Sequence, residues 1–330
     1  MVEKLTLKRH PLNPILIPNP QQEWESGAVF NCGAVKGKDG RVYLLYRAIP
    51  KGYTRKPDGQ GYNNYISSIG CAVSEDGVHF QRYKRPVLEP TDEFDRFGCE
   101  DPRVTRLEMD GQALYLITYT ALFAPAYSSY GNRVALASTE DFRTFQKHGV
   151  VIPDLEDKDA VIFPALIKGR IAMLHRIVPN IQLVYFDDFE QMTNSQEDFW
   201  SGYLAALNDF TVMRPEYEWE AKKIGAGPPP IETEEGWLLI YHGVDDKGVY
   251  RMGAALLDLE DPLKVRARSP YPLLEPEEPY EREGDVPNVV FPEGAVVIEG
   301  VLYMYYGGAD KCCCLATVEL RELVDYLLGF

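Results

Sequence analysis

The amino-acid sequence predicts an all-β fold, a five-bladed β-propeller closed by a short C-terminal helix. Three observations carry this. One pattern occurs five times: a short apolar strand, a tight polar turn, then a second apolar-aromatic strand. Its copies recur every roughly 60–70 residues, which suits a four-stranded blade with long loops. The composition agrees, because 21 Tyr, 14 Phe, 27 Gly and 24 Pro among 330 residues describe strands broken by many turns.

The copies run in order along the chain. The first is FNCGAVKGKDGRVYLLYRA, residues 30–48, and the second EDPRVTRLEMDGQALYLITYTA, residues 100–121. The third is DAVIFPALIKGRIAMLHRI, residues 159–177, and the fourth GAGPPPIETEEGWLLIYHGV, residues 225–244. The fifth is PNVVFPEGAVVIEGVLYMYYGGAD, residues 287–310. The turns KDG, MDG, KG, EEG and EG place glycine where a hairpin needs positive φ. Each following strand is β-branched and aromatic, with no helical spacing. A third strand of small residues then enters an acidic turn, as in SIGCAVSEDGVHF, RVALASTEDFRTF and RMGAALLDLEDPLKV. PVLEP, GVVIPD and PYPLLEP read as approaches to a fourth strand. The terminal LRELVDYLLGF has leucine at helical spacing. A β-sandwich, the main alternative, does not predict five similar hairpins. Blades around one axis need no second domain, so residues 1–330 are expected to form one.

Charge narrows the function classes. A net charge of -16 argues against nucleic acid, whose phosphates need a basic footprint. The N-terminal MVEKLTLKRHPLNP has no apolar core of a signal peptide, and no apolar run reaches the ~20 residues of a membrane span. Cys32, Cys71, Cys99 and the run Cys312–Cys314 show no metal-cage spacing. They read as reduced, buried side chains of a cytoplasmic protein. A homo-oligomer is left open.

In a propeller the innermost strands line a central channel, and ligands sit at one mouth. Functional groups should therefore occupy matching places in different blades. Blade one offers Asn31 and Arg47. Blade two offers Glu100, Asp101 and Arg103, in FGCEDPRV, where an acid pair stands before a proline. Blade three offers Lys158, Asp159, His175 and Arg176. Blade four offers Lys223, Tyr241 and His242, and blade five Asp285, Asn288 and Asp310. Charges inside MLHRI and LIYHGV interrupt otherwise clean strands, and buried charge is costly without a reason. Lys158, Arg176, Lys223 and His242 form a cationic set suited to an anion. Arg176, Lys223 and His242 are expected to converge without a protein carboxylate between them. No Gly-rich phosphate loop and no metal site is apparent.

CEDPRV, KDAVIFP, KIGAGPPPIETEEGWLLIYHGV and VPNVVFPEGAV together resemble glycoside hydrolase family 130, the mannoside phosphorylases and related mannosidases. The likeness extends from NPILIP through YYGGAD. It implies a five-bladed propeller and inverting phosphorolysis of a β-mannoside. Inorganic phosphate, the co-substrate in place of any cofactor, attacks the anomeric carbon from the α face and leaves α-mannose 1-phosphate. It implies that Asp101 is the proton donor, acting through a hydroxyl of the mannose, and that Lys158, Arg176, Lys223 and His242 contact phosphate. Asn31, Arg47, Asp310 and Asp285 then hold the mannose being cleaved. Lys158 departs from the arginine of some members, and Cys32 from a common serine. Glu100 stands where many β-1,4-acting members carry tyrosine, which points to β-1,2-linked manno-oligosaccharides. Retention of the basic set favours phosphorolysis over a β-mannosidase. A non-catalytic sugar-binding propeller would repeat one site, whereas each blade here contributes different residues.

Overall fold

A computed structural model describes residues 4–57, 61–109, 111–128, 130–152 and 155–330. Five antiparallel sheets form the five blades. Blade one is built from Ala28–Lys36, Val42–Ile49, Ser68–Ser74 and Gln81–Arg82. Blade two uses Cys99–Met109, Gln112–Leu122, Asn132–Thr139 and Gln146–Ile152. Blade three uses Lys158–Ile162, Ile171–Arg176, Ile181–Phe186 and Thr211–Met213. Blade four uses Lys223–Ala226, Gly236–Val244, Tyr250–Leu257 and Val265–Arg268. In blade five, Val290–Ile298, Val301–Gly308 and Cys312–Glu319 are joined by Lys8–Arg9 from the other end of the chain.

The turn glycines behave as expected: Gly40, Gly111, Gly169, Gly236 and Gly300 all have positive φ. Asp110 of the MDG turn, and Pro153 and Asp154 of GVVIPD, lie outside the described residues. The helix Leu320–Leu327 buries Leu323, Val324 and Leu327 on blades four and five. Two helices not foreseen, Phe189–Thr193 and Glu197–Ala205, lie in the excursion between the third and fourth strands of blade three. Five apolar cores occupy the five seams between neighbouring blades. All six cysteines are buried and unpaired. Among the described residues no helix is long and apolar enough to cross a membrane.

Four blades carry the same buried lock. In blade one the Glu25 carboxylate accepts from the Tyr46 hydroxyl (2.7 Å) and lies 3.2 Å from Arg82 on the outermost strand. Asp95 does the same with Tyr119 (3.3 Å) and Lys147, and Glu220 with Tyr241 (2.9 Å) and Arg268. Glu281 takes Tyr306 (2.8 Å) and Arg9 (2.8 Å), so the N-terminal strand is bound into blade five by the same device. Each acid lies in the connection entering its blade's innermost strand and joins that connection to the second and outermost strands.

Candidate active site

The site grows from a local irregularity. Four innermost strands carry one extra residue near the same end. These bulges fall at Asn31, at Asp101–Pro102, at Asp159–Ala160 and at Glu293. Asn31, Asp101 and Asp159 have φ of 48°, 52° and 56°. Asn and Asp tolerate this left-handed region better than other side-chain-bearing residues, and a bulge re-aims a side chain out of the pleat. The three polar groups meet residues of the second strands, where Arg47, Arg176 and His242 each follow the lock residue. Blade five has Gly307 at that place, since a Cβ there would lie 2.1 Å from Asn31 Oδ1. Gly225 likewise yields to Asp159, whose Oδ2 a Cβ would meet at 2.3 Å.

A cleft of about 330 Å³ opens at this end. Of the sequence candidates, Asn31, Arg47, Glu100, Asp101, Lys158, Asp159, Arg176, Lys223 and Asp310 line it. On one side Asp101 accepts from Asn31 Nδ2 (2.8 Å) and Arg47 Nη1 (3.2 Å). Arg47 also pairs with Glu100 and donates to the Tyr65 hydroxyl (3.0 Å). Burial pushes the Asp101 carboxyl up, but Arg47 and Lys158 outweigh it and hold the group below its ordinary value. Burial prevails at Glu100, which is raised, and at Asp310, which is raised to about 7. The Tyr127 hydroxyl donates to Asp310 (3.2 Å).

On the other side Asp159 Oδ2 lies 2.6 Å from Arg176 Nη1 and 3.5 Å from His242 Nε2, while Oδ1 accepts from Arg103 Nη2 (3.0 Å). Burial opposes ionisation of Asp159, yet Arg176, His242 and Arg103 hold it well below its ordinary value. The expected convergence of three cations without a carboxylate is therefore corrected: Asp159 stands among them. His242 is corrected as a cation too. Burial lowers it to about 3, against the pull of Asp159, and it lies beneath the cleft as a neutral ring. Lys223, lowered to about 7 by burial and then by Arg176, faces the Tyr250 ring at 5.4 Å.

Five further candidates do not reach the cleft. Tyr241 is the lock residue of blade four. His175 sits at the matching place of blade three, between Asp157 and Tyr203. Arg103 is buried below the floor, spanning Asp159 and Glu293 (3.1 Å). Asp285 is held by Tyr53 and Lys311, and Asn288 is exposed, its carbonyl accepting from Tyr250 N. The sequence reading missed Tyr127, Asn132, Glu156, Asp157, Tyr250 and Phe291 on the cleft wall. Most lie outside the hairpin repeats, so no motif marks them. Asp157 was within reach of sequence reading, because it precedes KDAV where other blades place their acid.

The profile of a family described as beta-1,4-mannooligosaccharide phosphorylase, glycoside hydrolase family 130, matches residues 6–328. The chain belongs to this family. A 1,2-beta-oligomannan phosphorylase of Thermoanaerobacter sp. (strain X514) is 39% identical, covering 97% of this chain and 99% of that protein. A beta-1,4-mannooligosaccharide phosphorylase of Ruminococcus albus is 32% identical, over 97% and 90%. Among solved structures, the beta-1,2-mannobiose phosphorylase of Listeria innocua in complex with beta-1,2-mannobiose superposes with a TM-score of 0.80. It is 29% identical and covers 99% of this chain and 100% of that one. The family-130 propeller and the family resemblance read from the sequence both hold.

Proposed function

We propose that the protein is an inverting β-mannoside phosphorylase that cleaves β-1,2-linked manno-oligosaccharides to α-mannose 1-phosphate. The observation that carries this is the division of one cleft into two chemistries. Asp101, Asn31, Arg47 and Asp310 offer hydrogen bonds suited to sugar hydroxyls. On the other side Arg176 rests on Asp159 (2.6 Å) and Lys158 lies 3.9 Å from Glu100, while Lys223 has no carboxylate within 4 Å among the described residues, a place an anion suits. The phosphate held there attacks the anomeric carbon while Asp101 supplies the proton to the departing oxygen. After Arg47, Lys158 helps hold Asp101 below its ordinary value. A phosphate beside Lys158 offsets that field and raises the affinity of Asp101 for the proton it must deliver. The acid is thereby armed by its co-substrate, and water alone does not arm it. The β-1,2 linkage rests on Glu100 and on the 39% relative, against 32% for the β-1,4-acting one.

The test offers β-1,2- and β-1,4-mannobiose separately in phosphate buffer and follows mannose 1-phosphate. Faster turnover of the β-1,2 disaccharide is expected, and a preference for β-1,4 would reassign the linkage.

A further inference from the structure

Blade three breaks the lock pattern in three ways. Its acid, Asp157, meets His175 Nδ1 (2.5 Å) in place of a tyrosine hydroxyl, and the far ring nitrogen meets the Tyr203 hydroxyl (2.6 Å) in place of an outer-strand cation. Tyr203 belongs to the helix Glu197–Ala205, in the excursion found in this blade. The second carboxylate oxygen also changes partner. In blades two, four and five it accepts backbone N–H groups of its own connection, and in blade one the Asn19 amide. In blade three Asp157 Oδ1 accepts from Arg176 N (3.0 Å). Arg176 is the last residue of its strand and lies directly across from Lys158. Asp157 itself reaches the cleft wall.

We propose that Tyr203, His175 and Asp157 form a positioning relay that fixes the end of the blade-three hairpin and thereby aims Arg176 and Lys158 at the phosphate. This rests on the phosphorylase reading above. The chain of contacts is continuous and buried: Tyr203 orients the imidazole, the imidazole orients the Asp157 carboxylate, and that carboxylate holds the Arg176 main chain. A tyrosine lock has its second oxygen committed to the connection, so it holds the second strand through the tyrosine hydroxyl and not through the main chain of the residue that follows. Tyr203 and His175 are thus positioning residues, 28 residues apart, neither of which lines the cleft.

Removing one link should loosen the anion subsite and leave the sugar subsite in place. Tyr203→Phe and His175→Leu are each expected to raise KM for phosphate roughly threefold to tenfold, the worth of one buried hydrogen bond. KM for β-1,2-mannobiose should move less than twofold. His175→Asn keeps a donor toward Asp157 and should restore most of the phosphate affinity lost in His175→Leu, a rescue that a merely space-filling role does not predict. If both Tyr203→Phe and His175→Leu keep the wild-type KM for phosphate, the relay is refuted. It is equally refuted if both KM values rise together and His175→Asn gives no rescue, since that marks a general folding role. A wild-type protein showing no phosphate-dependent cleavage overturns the phosphorylase reading and this inference with it, whereas an active wild type with unresponsive variants overturns the relay alone.

Discussion

The outer locks and the axial cleft use the same residue types to opposite ends. Glu25, Asp95, Glu220 and Glu281 are fully buried, and both oxygens of each are engaged by hydroxyl, cation or main chain. At the axis, Asn31 Oδ1, Arg47 Nε, Arg176 Nε and His242 Nδ1 are buried without a hydrogen-bond partner among the described residues. Closed networks of buried polar groups hold structure, while unfilled ones mark where a ligand completes the bonding. Charge alone does not separate them; the satisfaction of the lock carboxylates does, although Arg82 Nη1 of the blade-one lock also lacks a hydrogen bond among the described residues.

That contrast yields its largest effect at Asp101. Asp101→Asn should leave the melting temperature near wild type and lower kcat by roughly 10²–10⁴, the contribution of a general acid. Near-normal turnover would remove Asp101 from the role. The opposite signature is expected for a lock. Glu220→Ala strands Tyr241 and the largely buried Arg268, and should cost about 3–5 kcal/mol in denaturant unfolding. Its folded fraction should keep wild-type KM values, and a lock variant that alters KM for phosphate would blur the division.

Smaller effects separate the two halves of the cleft. Lys223→Ala should raise KM for phosphate roughly tenfold to a hundredfold, as for a lost charge-assisted hydrogen bond, and change KM for mannoside little. Steady-state kinetics with each substrate varied decides it. Lys223 also gives a pH dependence. Its ammonium is complete below its lowered value of about 7 and is lost above it, so anion affinity should fall as pH rises through about 7. Calorimetric titration with sulfate, which does not itself titrate in this range, should show that fall in the wild type and a shallower one in Lys223→Met, the remainder coming from Asp310, which is raised to about 7 in the same cleft and gains its negative charge over the same range. The smallest effect is expected for Glu100→Gln, which keeps an acceptor toward Arg47 and should lower kcat/KM by less than about tenfold.

Much of this architecture is legible in the sequence. The turn glycines and aromatic second strands placed all five hairpins, because positive φ and β propensity are local properties. The closing strand Lys8–Arg9 was not legible, since two residues carry no period. Nor was the helical excursion before Thr211. The site candidates separate by one rule. Successive residues of a strand face opposite sides, so His175 and Arg176 cannot both reach the channel, nor can Tyr241 and His242. Aligning YLLYR, LITYT, AMLHR, LLIYH and YMYYG shows that the tyrosine or histidine in fourth place recurs in every blade while the next residue varies. The recurring position is structural and the varying one belongs to the site. His242 escaped even this rule, because burial removes its charge, and burial depth is not written in a strand pattern.

The central claim is that phosphate completes the basic half of the cleft and arms Asp101. It is tested most directly by incubating β-1,2-mannobiose with the protein in phosphate buffer and in phosphate-free buffer, and following products by phosphorus and proton NMR. The expected result is α-mannose 1-phosphate and mannose in equal amounts with phosphate, and negligible cleavage without it. Release of free mannose at the same rate in both buffers, with no sugar phosphate formed, would contradict the account and make the protein a β-mannosidase.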